Sequence, residues 1–295
     1  MNDAFKTALS VGLAALTVVG ARGQDVDLGI NLGFSGYEGD LGGTTLLDRV
    51  EQLRGSFGAY GRVTVAEGIA LRAYVQHARV GGSDALRPNT QARNLSFQSD
   101  IFEVGLATEV YPFRIGLPVQ PYVSFGASLY AFNPTTEYNG RTVELQPLGT
   151  EGQGMPGFAE KYDLTRLAIP VGVGVAKPLG YSFVVGAEFN MRMLFFDHLD
   201  DVSGEYVNYY TLLDGRGVEG ATGNGALAAA LGDRTAELNG TEPRDIPTGT
   251  LRGNPLNNDW YYTATISLGY RIGSGLLSGG SSRRDMSRYN RCYSF

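Results

Sequence analysis

The sequence predicts an all-β fold, an eight-stranded antiparallel transmembrane β-barrel of the outer-membrane type, and three observations predict it. Apolar and polar residues alternate with period two in eight stretches of the 295-residue chain, so each stretch forms a strand with one oily and one wet face. The connections alternate between long and short, which matches long extracellular loops and short periplasmic turns. The N-terminus reads as a secretory signal, with Lys6 in a positive n-region, an apolar core over Ala8–Gly20 and the small residues of Ala21-Arg22-Gly23.

The apolar core of that signal is too short to span a membrane comfortably. Cleavage is expected after Gly23. The alternative is a soluble N-terminal helix, which the uniformly apolar core disfavours. No lipobox cysteine follows. The expected division is a signal peptide over 1–23, a barrel over 24–273 and a basic periplasmic tail over 274–295.

Asp25–Tyr37 opens the barrel, with Val26, Leu28, Ile30, Leu32 and Phe34 on one face and Asp25, Asp27, Gly29, Asn31 and Gly33 on the other. A polar loop with one helical turn near Leu46–Leu53 leads to the second strand, Gly55–Ala66. Glu67-Gly68 makes a tight turn into the third, Ile69–Val80. The fourth, Phe97–Tyr111, follows a loop over Gly81–Asn94, and a Pro/Gly turn leads to the fifth, Val119–Phe132. A loop of about thirty residues precedes the sixth strand, Asp163–Lys177. Pro170 lies inside it and cannot donate to the ladder, so a bulge is expected there. Pro178-Leu179-Gly180 turns the chain into the seventh strand, Tyr181–Phe196. The longest loop, Asp197–Asn258, contains a short helix near Ala226–Leu231, and Asp259–Ile272 closes the barrel. Tyr111, Tyr181, Phe195, Trp260 and Tyr270 sit at strand ends, as interfacial girdles require.

Composition narrows the function. A net charge of −6 excludes a nucleic-acid binder, which needs a basic face. The lone Cys292 excludes an intrachain disulfide framework and a multi-cysteine metal site. A soluble lipocalin-like barrel would bury its apolar face, but the opposite face here is rich in glycine and charge and cannot pack as a core. Lipid of the outer membrane is therefore the expected surroundings of the apolar face.

The wet face carries Asp27, Arg62, Arg72, Glu103, Glu109, Arg166, Glu188, Arg192 and Arg271. An eight-stranded barrel is filled by its own side chains, and buried charges must pair, so these residues are expected to plug the lumen as a salt-bridge network. Arg62 and Arg72 should face each other across the Glu67 turn, with Asp27 and Glu109 as partners. The competing reading of these charges is an ion or substrate path, which a wider barrel would serve.

Candidate chemistry is sparse. His77 reads as an interfacial polar residue. His198 follows Asp197 at the root of the longest loop, but no companion spacing supports a catalytic pair. Asp197, Asp200, Asp201 and Glu205 crowd that root; they are candidates for calcium, although their order does not fit an EF-hand, and a solvated acidic loop is the favoured reading. Gly172-Val173-Gly174 lies on a strand and is not a phosphate loop. No cofactor and no catalytic residue is expected. The tail carries Arg283, Arg284, Arg288 and Arg291, either as a disordered solubilising end or as a docking segment for a periplasmic partner.

Four strings carry a resemblance: Asn94–Ile101, Asn133-Pro134 with Glu144–Gly154, His198–Gly204, and Asn258–Tyr262. Together they resemble a Bacteroidota outer-membrane barrel family that includes PorG, a component of the type IX secretion system. The resemblance spans most of the mature chain. It implies a structural, non-enzymatic role in protein export, anchoring a periplasmic ring lipoprotein and its partner, PorK and PorN, at the outer membrane. Two other functions compete. One is a surface-binding barrel with acidic, tyrosine-bearing loops; the other is a membrane enzyme or lipid transporter using His198.

Overall fold

The computed structural model describes residues 26–113, 118–215 and 224–272. Eight long strands are present: β1 (Val26–Glu38), β2 (Arg54–Ala66), β3 (Ile69–Ser83), β4 (Ser96–Val110), β5 (Gln120–Ala131), β8 (Thr165–Leu179), β9 (Phe183–Leu194) and β10 (Trp260–Ile272). A short hairpin, β6 (Pro134–Tyr138) and β7 (Arg141–Glu144), lies between β5 and β8. Each long strand pairs antiparallel with its neighbours around the ring. β1 pairs with β10 and β3 with β4, so the ring is closed and has no edge. Strands of 12–15 residues are long enough to cross a bilayer when tilted.

The period-two pattern decides which face is which. Leu28, Ile30, Leu32 and Phe34 on β1 are about half exposed, and so are Phe57, Leu71, Phe102, Leu106, Phe125, Val173, Phe189 and Ile266 on the other strands. The polar residues between them, such as Asp27, Arg62, Glu103, Glu109 and Arg192, are buried inside. This inverts a water-soluble protein and fits a lipid solvent outside. Tyr181, Phe195 and Tyr270 stand exposed at strand ends as girdle residues. Tyr111 does not: its hydroxyl accepts from Arg62 and donates to Glu109, so it belongs to the lumen.

Pro170 makes no bulge. Phe125↔Val171 and Ser128↔Ala168 are in one register, and the β8–β9 register is unbroken at Pro170↔Arg192. The β5–β8 ladder simply opens for two pairs beside the missing N–H. The one irregularity between β2 and β3 lies at Thr64/Ala66, beside the tight turn, where Gly68 takes φ +74°.

Many glycines serve as seats for tyrosine rings. Gly29 faces Tyr60, Gly105 faces Tyr74 and Gly174 faces Tyr122 directly across the ladder, and a Cβ on any of these glycines would strike the ring. The rings thus lie flat inside a narrow lumen. Gly36 and Tyr262 repeat the device on the outer face.

The long connections fold over one mouth of the barrel. They contain α1 (Leu46–Glu51), α2 (Tyr209–Gly215), α3 (Gly225–Gly232) and α4 (Thr235–Asn239). α1 and α3 occupy the two places where the sequence predicts helical turns. The β6–β7 hairpin continues the pairing of β4 above the end of β5, through Gln98↔Thr135. The main apolar core lies at this mouth: Tyr37, Phe97, Ile101, Tyr130, Phe132, Leu148, Tyr162, Leu199 and Leu231 are among its buried residues.

Candidate functional site

The lumen holds two electroneutral units. In the first, Asp27 accepts from Arg62 at 2.9 Å and from Arg271 at 2.9 Å. Arg62 reaches Glu109 at 3.2 Å, Glu109 pairs with Arg72 at 3.1 Å, and Arg72 pairs with Glu188 from across the barrel. Tyr122 and Asn190 also donate to Glu188, each at 2.8 Å. Three acids thus meet three arginines. The second unit is Glu103 and Arg192, 3.0 Å apart, with the Tyr74 hydroxyl donating to Glu103 at 2.7 Å and Arg192 donating to Thr263 at 2.6 Å. Arg62 and Arg72 face each other, and Asp27 and Glu109 are partners of Arg62.

Arg166 is not part of this network. It lies over the Phe196 ring at 4.4 Å, at the cap end of β8, and makes no ion pair among the described residues. Its face of the strand was right, but its height was not: β8 carries it beyond the charged layer. Without it, four acids balance four arginines.

Above the lumen, the loops form a packed cap. Asp197, Asp200 and Asp201 are buried, so the expected solvated acidic loop is a buried acidic core; only Glu205 is exposed. These four residues do not converge on one cation. Asp201 accepts from Thr150 at 2.6 Å and Tyr162 at 2.7 Å. Asp200 accepts from Tyr37 at 2.7 Å and from the Val202 amide, while Glu205 bridges to Leu251 at the surface. Among the described residues, no group of three His, Cys, Asp or Glu could hold a metal ion.

Asp259 completes the arrangement. The Tyr37 hydroxyl is 2.6 Å from Asp259 and 2.7 Å from Asp200, and the Leu199 amide donates to Asp259 at 2.8 Å. One hydroxyl proton cannot serve two carboxylates, so one carboxyl carries a proton. Burial is the main cause, and it holds both acids well above the usual carboxylate range, with mutual repulsion adding to it at Asp259. Burial likewise raises Asp197 to about 7 and Asp201 to about 6.

The cap's basic clamp is Arg252. It donates to Glu151 at 2.9 Å and to the carbonyls of Asp201 at 2.7 Å and Gly232 at 3.1 Å, joining three loop segments. Glu151 also accepts from the Ser203 and Gly204 amides. Arg93 pairs with Asp84 at 2.7 Å and reaches the Arg252 carbonyl. His198 stacks on Phe196 and packs at a tilt against Tyr162, 3.7 Å from Glu151, and burial lowers its basicity. No ion pair joins it to Asp197 among the described residues. On the outer wall, His77 lies between Phe57 and Phe102 and pairs with Asp100 at 3.2 Å, an interfacial position. Arg283, Arg284, Arg288 and Arg291, and the signal segment 1–23, lie outside the described residues.

Sequence reasoning missed Tyr37, Glu151, Tyr162, Arg252 and Asp259. The available signal was in the four familiar strings. Leu95, Phe97 and Ile101 of the first, Leu145, Leu148 and Thr150 of the second, Leu199–Ser203 of the third and Asp259 and Tyr261 of the fourth are all buried at this one mouth.

A closed ring of eight strands, an apolar outer belt, a charge-filled lumen and a folded cap define an outer-membrane β-barrel protein of a Gram-negative cell. The chain belongs to the family described as "Domain of unknown function (DUF6089)", whose model matches residues 6–217. Its fold is similar to that of the attachment invasion locus protein Ail of Yersinia pestis, solved with the heparin analogue sucrose octasulfate; identity is 10%, covering 84% of this chain and 99% of that one, with a TM-score of 0.40. Neisserial surface protein A has 10% identity over 84% of this chain and 97% of its own, with a TM-score of 0.40. OprG from Pseudomonas aeruginosa has 10% identity, 84% and 96% coverage and a TM-score of 0.36. These likenesses concern the fold alone. No curated protein matches the sequence.

Proposed function

We propose that this barrel is a structural, non-enzymatic component of the type IX protein secretion system. In this reading it anchors a periplasmic ring lipoprotein and its partner, of the PorK and PorN kind, at the outer membrane. The observation that carries the scaffold role is the double closure of the barrel: paired charges fill the lumen and a packed cap covers one mouth. A barrel plugged in this way offers surfaces, not a cargo path. The secretion assignment itself rests on the resemblance to the PorG-containing family, whose four strings meet in the cap. The Glu67-Gly68 turn, the turn at Gly180 and the arginine-bearing tail supply the periplasmic docking elements of this model.

A second reading has its own support. Tyr210, Leu251 and Leu256 project from the cap, the last 95% exposed, which suits a surface-binding barrel without a secretion role. Mild crosslinking in native outer membranes, followed by mass spectrometry of the captured proteins, separates the two. Recovery of a ring lipoprotein and its partner, lost when 281–295 is deleted or the short turns are altered, supports the anchor. Capture of surface components only, or of nothing, overturns it.

A further inference from the structure

α1 is an amphipathic helix turned inside out. Thr45 caps it through a reciprocal pair with Asp48, so its start is fixed locally. Leu46, Leu47 and Val50 fall within about 100° of arc on one face. That face points away from the protein: the three residues are 76%, 80% and 56% exposed. The polar residues Asp48 and Arg49, on the opposite side of the helix, are partly covered. A Cβ on Gly43 would strike Asp48 and the Arg49 backbone, so the polar side is packed closely. Arg49 also forms a salt bridge with Glu38, and Gln52 donates to the Leu41 carbonyl at 3.3 Å. The helix is therefore held with its oily face out.

The register shows at what height it is held. Glu38 pairs across the ladder with Trp260. It lies on the outer face of β1, in line with Leu32 and Phe34 of the lipid-facing belt and with Gly36 under the Tyr262 ring. Arg49 therefore tethers α1 to the outer rim, level with the strand-end tryptophan and just beyond the belt. Tryptophan at that position marks the water–lipid interface. An exposed apolar helix face tethered at interface height matches the chemistry of an interfacial anchor.

We propose that α1 lies in the headgroup–acyl boundary of the outer leaflet, with Leu46, Leu47 and Val50 immersed in lipid. It extends the membrane contact of the barrel beyond the strands and fixes the azimuth of the first extracellular loop.

The test places a nitroxide at Leu47 or, separately, at Val50 in the full mature chain carrying Cys292→Ser. The protein is reconstituted in vesicles of phosphatidylethanolamine and phosphatidylglycerol. Labels at Leu32 in the belt and Leu256 in the cap serve as lipid and water references. Heat-modifiable gel migration verifies that each labelled barrel is folded, and the exposed labelling sites carry no packing that folding needs. The expected result is that labels at Leu47 and Val50 are relaxed more by dissolved oxygen than by a water-soluble nickel chelate, as at Leu32. Relaxation by nickel equal to or above that by oxygen, as at Leu256, overturns the proposal and leaves the face to a partner in the aqueous phase.

Discussion

Neutralising Glu103 should destabilise the barrel by stranding its buried partner Arg192. Its side chain is 1% exposed and its partner Arg192 4% exposed. Glu103→Gln keeps the shape and removes the charge. Arg192 then retains the Thr263 hydroxyl and the Asn190 carbonyl as acceptors but, among the described residues, no carboxylate partner. Breaking one side of a buried pair costs about 3–5 kcal/mol, because the remaining charge stays desolvated. Replacing the whole unit by apolar groups, Tyr74→Phe with Glu103→Met and Arg192→Met, should be about neutral or gain up to ~4 kcal/mol. Urea unfolding in detergent micelles measures both, with the lone Trp260 at the rim as fluorescent reporter. A loss below about 1 kcal/mol for Glu103→Gln would mean that water reaches and solvates Arg192, and the lumen would not be sealed.

Gly105→Val should cost about 1–3 kcal/mol, since the new side chain displaces the Tyr74 ring that donates to Glu103; the same urea titration reads it. Arg252→Ala should loosen the cap but not the barrel, because it removes a clamp on three loops; limited trypsinolysis should cut within 197–258 while the barrel stays heat-modifiable. The cap should also weaken as pH rises. Asp197 and Asp201, at about 7 and about 6 when folded, bind protons more tightly than in the unfolded chain. Their contribution is fully present below about pH 4 and is lost as pH rises through about 7. Hydrogen exchange at the Leu199 and Val202 amides, corrected for the intrinsic rate, should be faster at pH 8 than at pH 5. Asp197→Asn removes one of these two acids and should flatten that slope; an unchanged slope would place the titration elsewhere.

The barrel was readable because lipid and lumen impose a strict period of two. Leu28, Ile30 and Leu32 against Asp27, Gly29 and Asn31 fix both face and register, and the cross-strand pairing of Arg62 with Arg72 followed from one tight turn. Height along the strand is not encoded by that period, so Arg166 shared the inward face yet lay beyond the charged layer, and Tyr111 proved to be lumenal. The cap was less readable. Its contacts join residues such as Tyr37 and Asp259, or Glu151 and Arg252, across 222 and 101 positions, which no local pattern records. Asp200 and Asp201 looked like surface acids because burial of a carboxyl depends on hydroxyl and amide donors supplied by other loops. Pro170 suggested a bulge, but an opened ladder met the lost donor without a register shift.

Single-channel recording in planar bilayers addresses the closed barrel most directly. The purified protein with its charge network and cap intact should give no steady openings, and Glu103→Gln should leave the bilayer quiet or produce only brief, irregular events. Steady, large openings from the unaltered protein would contradict a plugged lumen and return the barrel to the class of pores.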